Sequence, residues 1–431
     1  MKIKIKRKTY QEVAAMERPK HKKPMKQSFP FRLLLRVASM PDLWATHFKV
    51  TRVGMERLGK KEPCLFLMNH SSFIDLEIAS TVLFPRPFNI VSTTDSFVGK
   101  NLLMRLLGCI PTKKFIFDLG LVKDMVYAVK TLKSSVLLFP EAGYSFDGRT
   151  TLLPDTLGQF VKMLGVPVVM IETKGAFARQ PLFNNLRKRK VRVSAEMKYL
   201  LSAAETQEKS ADEINALIAE CFSFDAFHQQ QEQHIRIDEP CRAESLHRVL
   251  YKCPACLAEG QMEGKGTTIS CGSCKKVYKL DEYGFLKAEN GETEFSHVPD
   301  WYDWERECVK RELTEGTYKM DCDVDIYMLI DSKCLYRVGD GRLTHSTDGF
   351  RLTGCDGALD YQQKPISSYS LNADFYWYEI GDVIGIGNQK ALYYCFPKNA
   401  GNVVAKTRLA AEELYRIVKQ EKPSKKSKNQ D

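Results

Sequence analysis

Apolar and polar positions follow three different regimes along this chain. Between residues 30 and 235, short continuous apolar runs recur at 64–68 (CLFLM), 136–139 (VLLF), 166–171 (VPVVMI) and 191–195. Runs this short and apolar at nearly every position read as buried strands. Segments with helical spacing, such as residues 121–132, separate them. The alternation predicts an α/β layer architecture around a largely parallel sheet. Ser210 followed by Glu213 forms a capping box that opens a helix running toward Gln229.

From about residue 295 the pattern changes. An aromatic and charged helix is expected over residues 301–312. Strands follow at 326–330, 335–338, 350–352, 375–378, 383–386 and 392–396, and a helix over 406–418 closes the block. Six or seven short antiparallel strands capped by one helix predict a mainly β domain with pleckstrin-homology-like order. The expected organisation is a basic N-terminal arm (1–28), an α/β domain (29–238), a small cysteine-bearing module (239–292), a mainly β domain (293–420) and a basic tail (421–431).

Charge changes the picture once it is located. The net charge is +11, yet residues 1–26 hold ten Lys/Arg against Glu12 and Glu17, and residues 419–431 hold five Lys against Glu421 and Asp431. The stretch between sums to zero, which argues against a folded nucleic-acid face and suits basic ends that meet an anionic membrane surface. The N-terminus lacks the apolar segment of a secretion signal, and no apolar run reaches the roughly 18 residues of a membrane span. A cytoplasmic protein, peripheral at the inner face of the membrane, is therefore expected. Residues 29–37 (FPFRLLLRV) place Arg32 and Arg36 four apart, on one side of a helix whose leucines lie elsewhere. That fits a helix lying in the interface, and a plain core helix fits it as well.

Thirteen cysteines are scattered apart from two pairs. Cys253-x2-Cys256 and Cys271-x2-Cys274, fourteen residues apart, have the spacing of a zinc ribbon. Four thiolates leave no open position, so the expected zinc is structural.

The chemistry concentrates at the ends of the apolar runs. Asn69-His70-Ser71-Ser72-Phe73-Ile74-Asp75 follows the first of them. A carboxylate five residues after a histidine can accept from Nδ1 and leave Nε2 free as a base toward a substrate hydroxyl. Phe139-Pro140-Glu141-Ala142-Gly143-Tyr144-Ser145 follows the second run, and Gly108-Cys109-Ile110-Pro111-Thr112-Lys113-Lys114 lies between them. In this order, and with the apolar block at 166–171, the motifs resemble those of the glycerolipid acyltransferase superfamily, which includes the 1-acylglycerol-3-phosphate acyltransferases.

The resemblance covers about residues 50–200 and implies an O-acyltransferase of phospholipid biosynthesis. A fatty acyl group would pass from acyl-CoA or acyl-carrier protein to a lysoglycerolipid hydroxyl, 1-acylglycerol-3-phosphate foremost. It implies His70 and Asp75 as the catalytic pair and Glu141, Gly143, Ser145, Lys113 and Lys114 on the substrate side. The family's motif has Gly where Ala142 stands and Arg where Tyr144 stands, and its second motif has Arg at Lys114. Lysine supplies a point charge without the bidentate fork of arginine. Another lysolipid or hydroxylated lipid thus competes as acceptor. A lipid-binding adaptor with a structural zinc ribbon is the alternative that is not an enzyme.

Overall fold

The computed structural model describes residues 2–116, 118–398 and 401–421. Strand β1 (Ile5–Arg7) belongs to the C-terminal sheet. The α/β domain is built on β2 (Lys49–Val53), β3 (Leu65–Met68), β4 (Phe88–Thr93), β5 (Cys109–Thr112), β6 (Ser135–Leu138), β7 (Val168–Lys174) and β8 (Ser194–Leu201), in the order β2-β8-β7-β3-β6-β4-β5. Strands β3 to β7 are mutually parallel. Strand β8 runs antiparallel to β7, and β2 runs alongside β8.

The sheet is therefore mixed, with a parallel centre and a reversed edge, where a largely parallel sheet was expected. Burial explains the division. All four residues of β3 are buried, as a strand covered on both faces requires, whereas β8 alternates buried and open positions. The apolar run at 191–195 accordingly leads into β8, three residues later than its own start. The capping box holds, with Ser210 and Glu213 exchanging bonds at the head of helix Ala211–Cys221. That helix stops at Phe222, and a second one, Ala226–Glu232, covers the glutamine-rich stretch.

The cysteine module is a four-stranded antiparallel sheet of β9 (Met262–Lys265), β10 (Thr268–Cys271), β11 (Val277–Leu280) and β12 (Leu286–Ala288). Helix Val298–Thr314 docks on it through the buried Trp301, whose indole N–H donates to the Lys252 carbonyl at 2.9 Å. Trp301 also meets the Tyr278 ring edge-on at 5.0 Å.

The remaining strands are β13 (Met320–Leu329), β14 (Leu335–Ser346), β15 (Gly349–Gly354), β16 (Leu359–Gln363), β17 (Asn372–Trp377), β18 (Gly381–Gly387) and β19 (Leu392–Pro397), followed by helix Val403–Glu421. They pair antiparallel in the order β16-β15-β14-β13-β19-β18-β17, a meander whose first and last strands meet. The C-terminal region is thus largely β with one closing helix. The basic tail beyond Glu421 lies outside the described residues.

The N-terminal arm is tied down. Strand β1 adds in parallel to β14, and a Thr9–Glu12 capping box turns the chain. The His21 imidazole then meets the Asp124 carboxylate at 2.9 Å, and Asn89 donates to the Met25 carbonyl at 2.8 Å. The arm runs from the C-terminal sheet to the α/β sheet as a strap, with its lysines largely on the outside.

Candidate active site

Five parallel strands bring their C-terminal ends to one edge of the α/β sheet, where sheets of this kind gather ligands. His70 leaves the end of β3, Glu141 follows β6, and Lys113 and Lys114 follow β5. The fully buried Asn69 joins this edge together, accepting from the Thr173 backbone N–H at 2.7 Å and donating to the Thr173 carbonyl at 3.2 Å.

His70 Nδ1 lies 3.2 Å from Asp75 Oδ2. The same oxygen accepts the backbone N–H groups of Ser71 and Ser72 at 2.7 and 3.0 Å. These bonds arise because helix Ile74–Val82 begins immediately after the loop, so Asp75 in its first turn faces the amides that precede it. The contact assigns the Nδ1 proton to the Asp75 side and leaves Nε2 as the acceptor. The imidazole is flanked by the Phe139 ring, stacked at 4.2 Å, and by the Tyr144 ring at 4.2 Å, and its side chain remains 20% exposed.

Glu141 is fully buried and uses both oxygens on backbone, one on His70 N–H and one on Thr151 N–H, each at 2.8 Å. As placed, it braces the His70 loop against its own loop. Burial pushes its carboxyl up to about 7 against the pull of those two N–H groups. Ser145 also turns inward: its hydroxyl donates to the Arg149 carbonyl at 2.6 Å and accepts from Gly148 N–H at 2.9 Å. Gly143 lies beside Phe115. Ala142 adopts φ +55°, a left-handed conformation that favours glycine, so the departure from the resembled motif falls where the backbone tolerates a side chain least.

Lys113 donates to the Gln389 carbonyl of the C-terminal region at 2.5 Å. Lys114 makes no ion pair among the described residues, and its charge acts on both His70 and Asp374. Burial, and secondarily that charge, hold the His70 imidazole below its ordinary value while Asp75 pulls the other way. A base that stays neutral at lower pH follows. The acid limb of kcat/KM should fall below about 6.5, and Lys114→Gln should move it upward by removing the nearby cation. A pH–rate profile checks both; an acid limb above that value in the unaltered protein contradicts the arrangement.

The C-terminal sheet covers the edge. Val98 and Ile116 join its apolar face with Tyr327, Val383, Tyr394 and Phe396. Tyr378 donates to Asp95 at 2.8 Å, Arg408 donates to the Tyr144 carbonyl at 3.1 Å, and the Phe146 and Phe375 rings approach to 4.4 Å. No motif in the sequence signals Asp95, Asp374, Tyr378 or Arg408, because each acts across a contact between segments hundreds of residues apart. Asn69, by contrast, was visible as the residue preceding His70.

The four paired cysteines converge, with all Sγ atoms within 4.8 Å of one another and the Cys253–Cys274 and Cys256–Cys271 pairs at 3.7 Å. A tetrahedral ion with bonds of about 2.3 Å needs sulfurs about 3.8 Å apart, so the cluster fits a metal ion. It lies in the cysteine module, apart from His70.

Residues 49–172 match the Acyltransferase family model, so an acyltransferase domain occupies the part of the chain that carries these motifs. None of the curated proteins matches the chain. Among solved structures, the 1-acyl-sn-glycerophosphate (LPA) acyltransferase PlsC from Thermotoga maritima aligns at 15% identity over 44% of this chain and 78% of its own, with a TM-score of 0.33. A likeness at that level carries no argument about substrate.

Proposed function

We propose that the chain transfers a fatty acyl group from an acyl thioester, carried by coenzyme A or acyl-carrier protein, to a hydroxyl of a lysoglycerolipid such as 1-acylglycerol-3-phosphate. The observation that carries this reading is the His70–Asp75 contact at the end of β3, inside the region matching the Acyltransferase family. In this reading His70 Nε2 takes the proton of the acceptor hydroxyl as its oxygen attacks the thioester carbonyl. Asp75 stabilises the imidazolium that forms. Collapse of the tetrahedral intermediate breaks the C–S bond, and the leaving thiolate receives the proton from His70.

Lys113 and Lys114 stand at the strand end where an acceptor phosphate would be met, with Tyr144 in place of an arginine. Turnover of a labelled acyl thioester by the purified full chain, against a panel of lysolipids, tests the reading. Transfer to a lysolipid supports it; binding of lysolipids with no turnover by either donor would favour the adaptor alternative.

Lipid acceptors are drawn from a surface, and the protein presents one. No described helix is long and apolar enough to cross a membrane. Helix Phe29–Ala45 turns Arg32 and Arg36 toward the Phe84–Pro85 segment: Arg32 donates to the Pro85 carbonyl and Arg36 lies over the Phe84 ring. Phe29, Leu33, Leu34, Val37 and Trp44 remain exposed, as do Phe73 and Leu76, a few residues after His70 in the chain. In this reading the apolar side enters the interface and the arm's lysines meet anionic headgroups.

Since the arm is built into the sheet, its charge is better tested by substitution than by removal. Changing the exposed Arg18, Lys20 and Lys22 to Gln should weaken binding to anionic vesicles by up to about a hundredfold, at roughly 1 kcal/mol per charge. Binding to neutral vesicles should hardly change. Sedimentation with the two vesicle types decides, and equal losses on both would remove the electrostatic role.

The four thiolates are assigned to one structural zinc ion, which would tie the Cys253–Cys256 turn to the Cys271–Cys274 turn and supply no open coordination site.

A further inference from the structure

A cavity of about 370 Å³ opens between the loop after β5 and the C-terminal sheet. At roughly 30 Å³ per water molecule it could hold about a dozen, far more than one phosphate group needs. Lys114 and Lys364 line it, together with Gln362, Ser367, Asn372 and Asn388. Among the described lining residues there is no Asp or Glu. The side chains of Gln362, Ser367 and Asn372 make no hydrogen bond among the described residues, so their donors and acceptors are available to a ligand.

That composition selects a chemistry. Two ammonium groups without a carboxylate favour an anion and leave a cationic substituent without a partner. Amides and a hydroxyl offer both donors and acceptors, the complement of neighbouring hydroxyl groups. Phe115 connects the cavity to the chemistry: it lines the cavity and lies beside Gly143, in the loop whose Tyr144 ring sits 4.2 Å from that of His70. A phosphate seated on Lys114 would have the cavity on one side for its ester substituent and the Gly143–Tyr144 loop on the other for its glycerol hydroxyl.

We infer that the cavity between residues 114–116 and strands β16 to β19 is the acceptor's headgroup subsite, built for a phosphodiester carrying a hydroxyl-rich alcohol. The inference rests on the acyl-transfer reading for the direction in which the acceptor lies. It makes the C-terminal domain part of substrate selection and places specificity on residues far from the acyltransferase motifs. Asp374, two residues beyond Asn372 on β17, is buried and does not line the cavity. A headgroup amine would thus find no carboxylate there.

The test uses the full-length protein with one acyl thioester donor and three acceptors: lysophosphatidylglycerol, lysophosphatidate and lysophosphatidylethanolamine. The glycerol headgroup should be preferred over the ethanolamine headgroup by about tenfold or more in kcat/KM. Ser367→Trp, which plugs the cavity rim, should lower the ratio of lysophosphatidylglycerol to lysophosphatidate use by about tenfold while the melting temperature holds. Gln362→Leu, at an exposed position, replaces it if the tryptophan variant does not fold.

Calorimetry with soluble glycerophosphoglycerol supplies the readout that does not depend on turnover. Binding that Ser367→Trp or Gln362→Leu weakens upholds the subsite even if no acceptor is acylated, in which case the acyl-transfer reading alone fails. Equal use of the three acceptors, a uniform loss in the variant, or no binding of glycerophosphoglycerol overturns the subsite. Displacement of glycerophosphoglycerol by coenzyme A overturns it as well, by assigning the cavity to the donor's phosphates.

Discussion

His70→Ala should leave a folded protein whose acyl transfer is slower by a hundredfold or more. The imidazole lies between the Phe139 and Tyr144 rings, and its removal leaves a small cavity in a loop whose backbone Glu141 and Asp75 continue to hold. Folding should therefore survive, while the acceptor hydroxyl loses the group that takes its proton. Loss of a general base typically costs between about a hundredfold and ten-thousandfold. Asp75→Asn is the companion experiment. It keeps the shape but replaces one oxygen with a donor, where the carboxylate now accepts from His70 Nδ1 and two amides. Either the wrong imidazole tautomer or a loosened loop results, and kcat should again fall. Steady-state rates with melting curves on both variants check this. A His70→Ala protein that retains near-normal turnover would remove His70 from the chemistry.

Zinc removal should produce the second large effect, and it should appear in folding rather than in the chemical step. Cys253 and Cys271 are buried in the same cluster as Tyr251, Ile269, Tyr278 and Trp301, so a metal held there would tie two turns to the margin of that core. Structural zinc sites bind with apparent free energies of about 10–16 kcal/mol, and that energy is folding energy for the module holding them. Metal analysis of the purified chain should give one zinc per molecule. Changing Cys253 and Cys271 together to Ser should abolish the zinc, lower the melting temperature and open residues 239–292 to protease. Zinc retained by that double variant, or protein purified without any metal, contradicts the assignment.

Phe146, Phe177 and Phe183 of the α/β domain share the cluster that contains the cysteine module and the C-terminal sheet. Loss of zinc should therefore be felt at the docking of the C-terminal sheet over His70. A headgroup-dependent rise in KM, without a matching fall in kcat, is the expected trace of that loosening.

Much of the site was legible in the chain because its parts are local. His70 and Asp75 share one loop and the first turn of one helix, and the two Cys-x2-Cys pairs each sit on one turn, so residue type and spacing were enough. The alternation of apolar runs with helical segments likewise exposes the layered domain, since buried parallel strands are short and apolar at nearly every position. Strands β2, β4 and β5 were not visible in that way. Their residues are mixed: β2 carries Lys49 and Arg52, β4 Asn89, and β5 Pro111.

By itself, then, the sequence determined the motif order, the His70–Asp75 pairing, the four cysteines that converge and the presence of a strand-rich C-terminal region. Tertiary structure alone decided what those parts do to one another. It reversed β2 and β8 against the parallel centre, where strands with one open face do not need the uniform apolar pattern of the middle. It turned the charged N-terminus into a strap, because three residues of extended backbone find unpaired groups on β14. It set the C-terminal sheet over His70 through Arg408, Tyr378 and Phe375, residues whose positions in the chain say nothing of the strand ends they meet. Long-range packing depends on which apolar faces remain to be covered once the local elements have formed, and that quantity belongs to the folded surface as a whole.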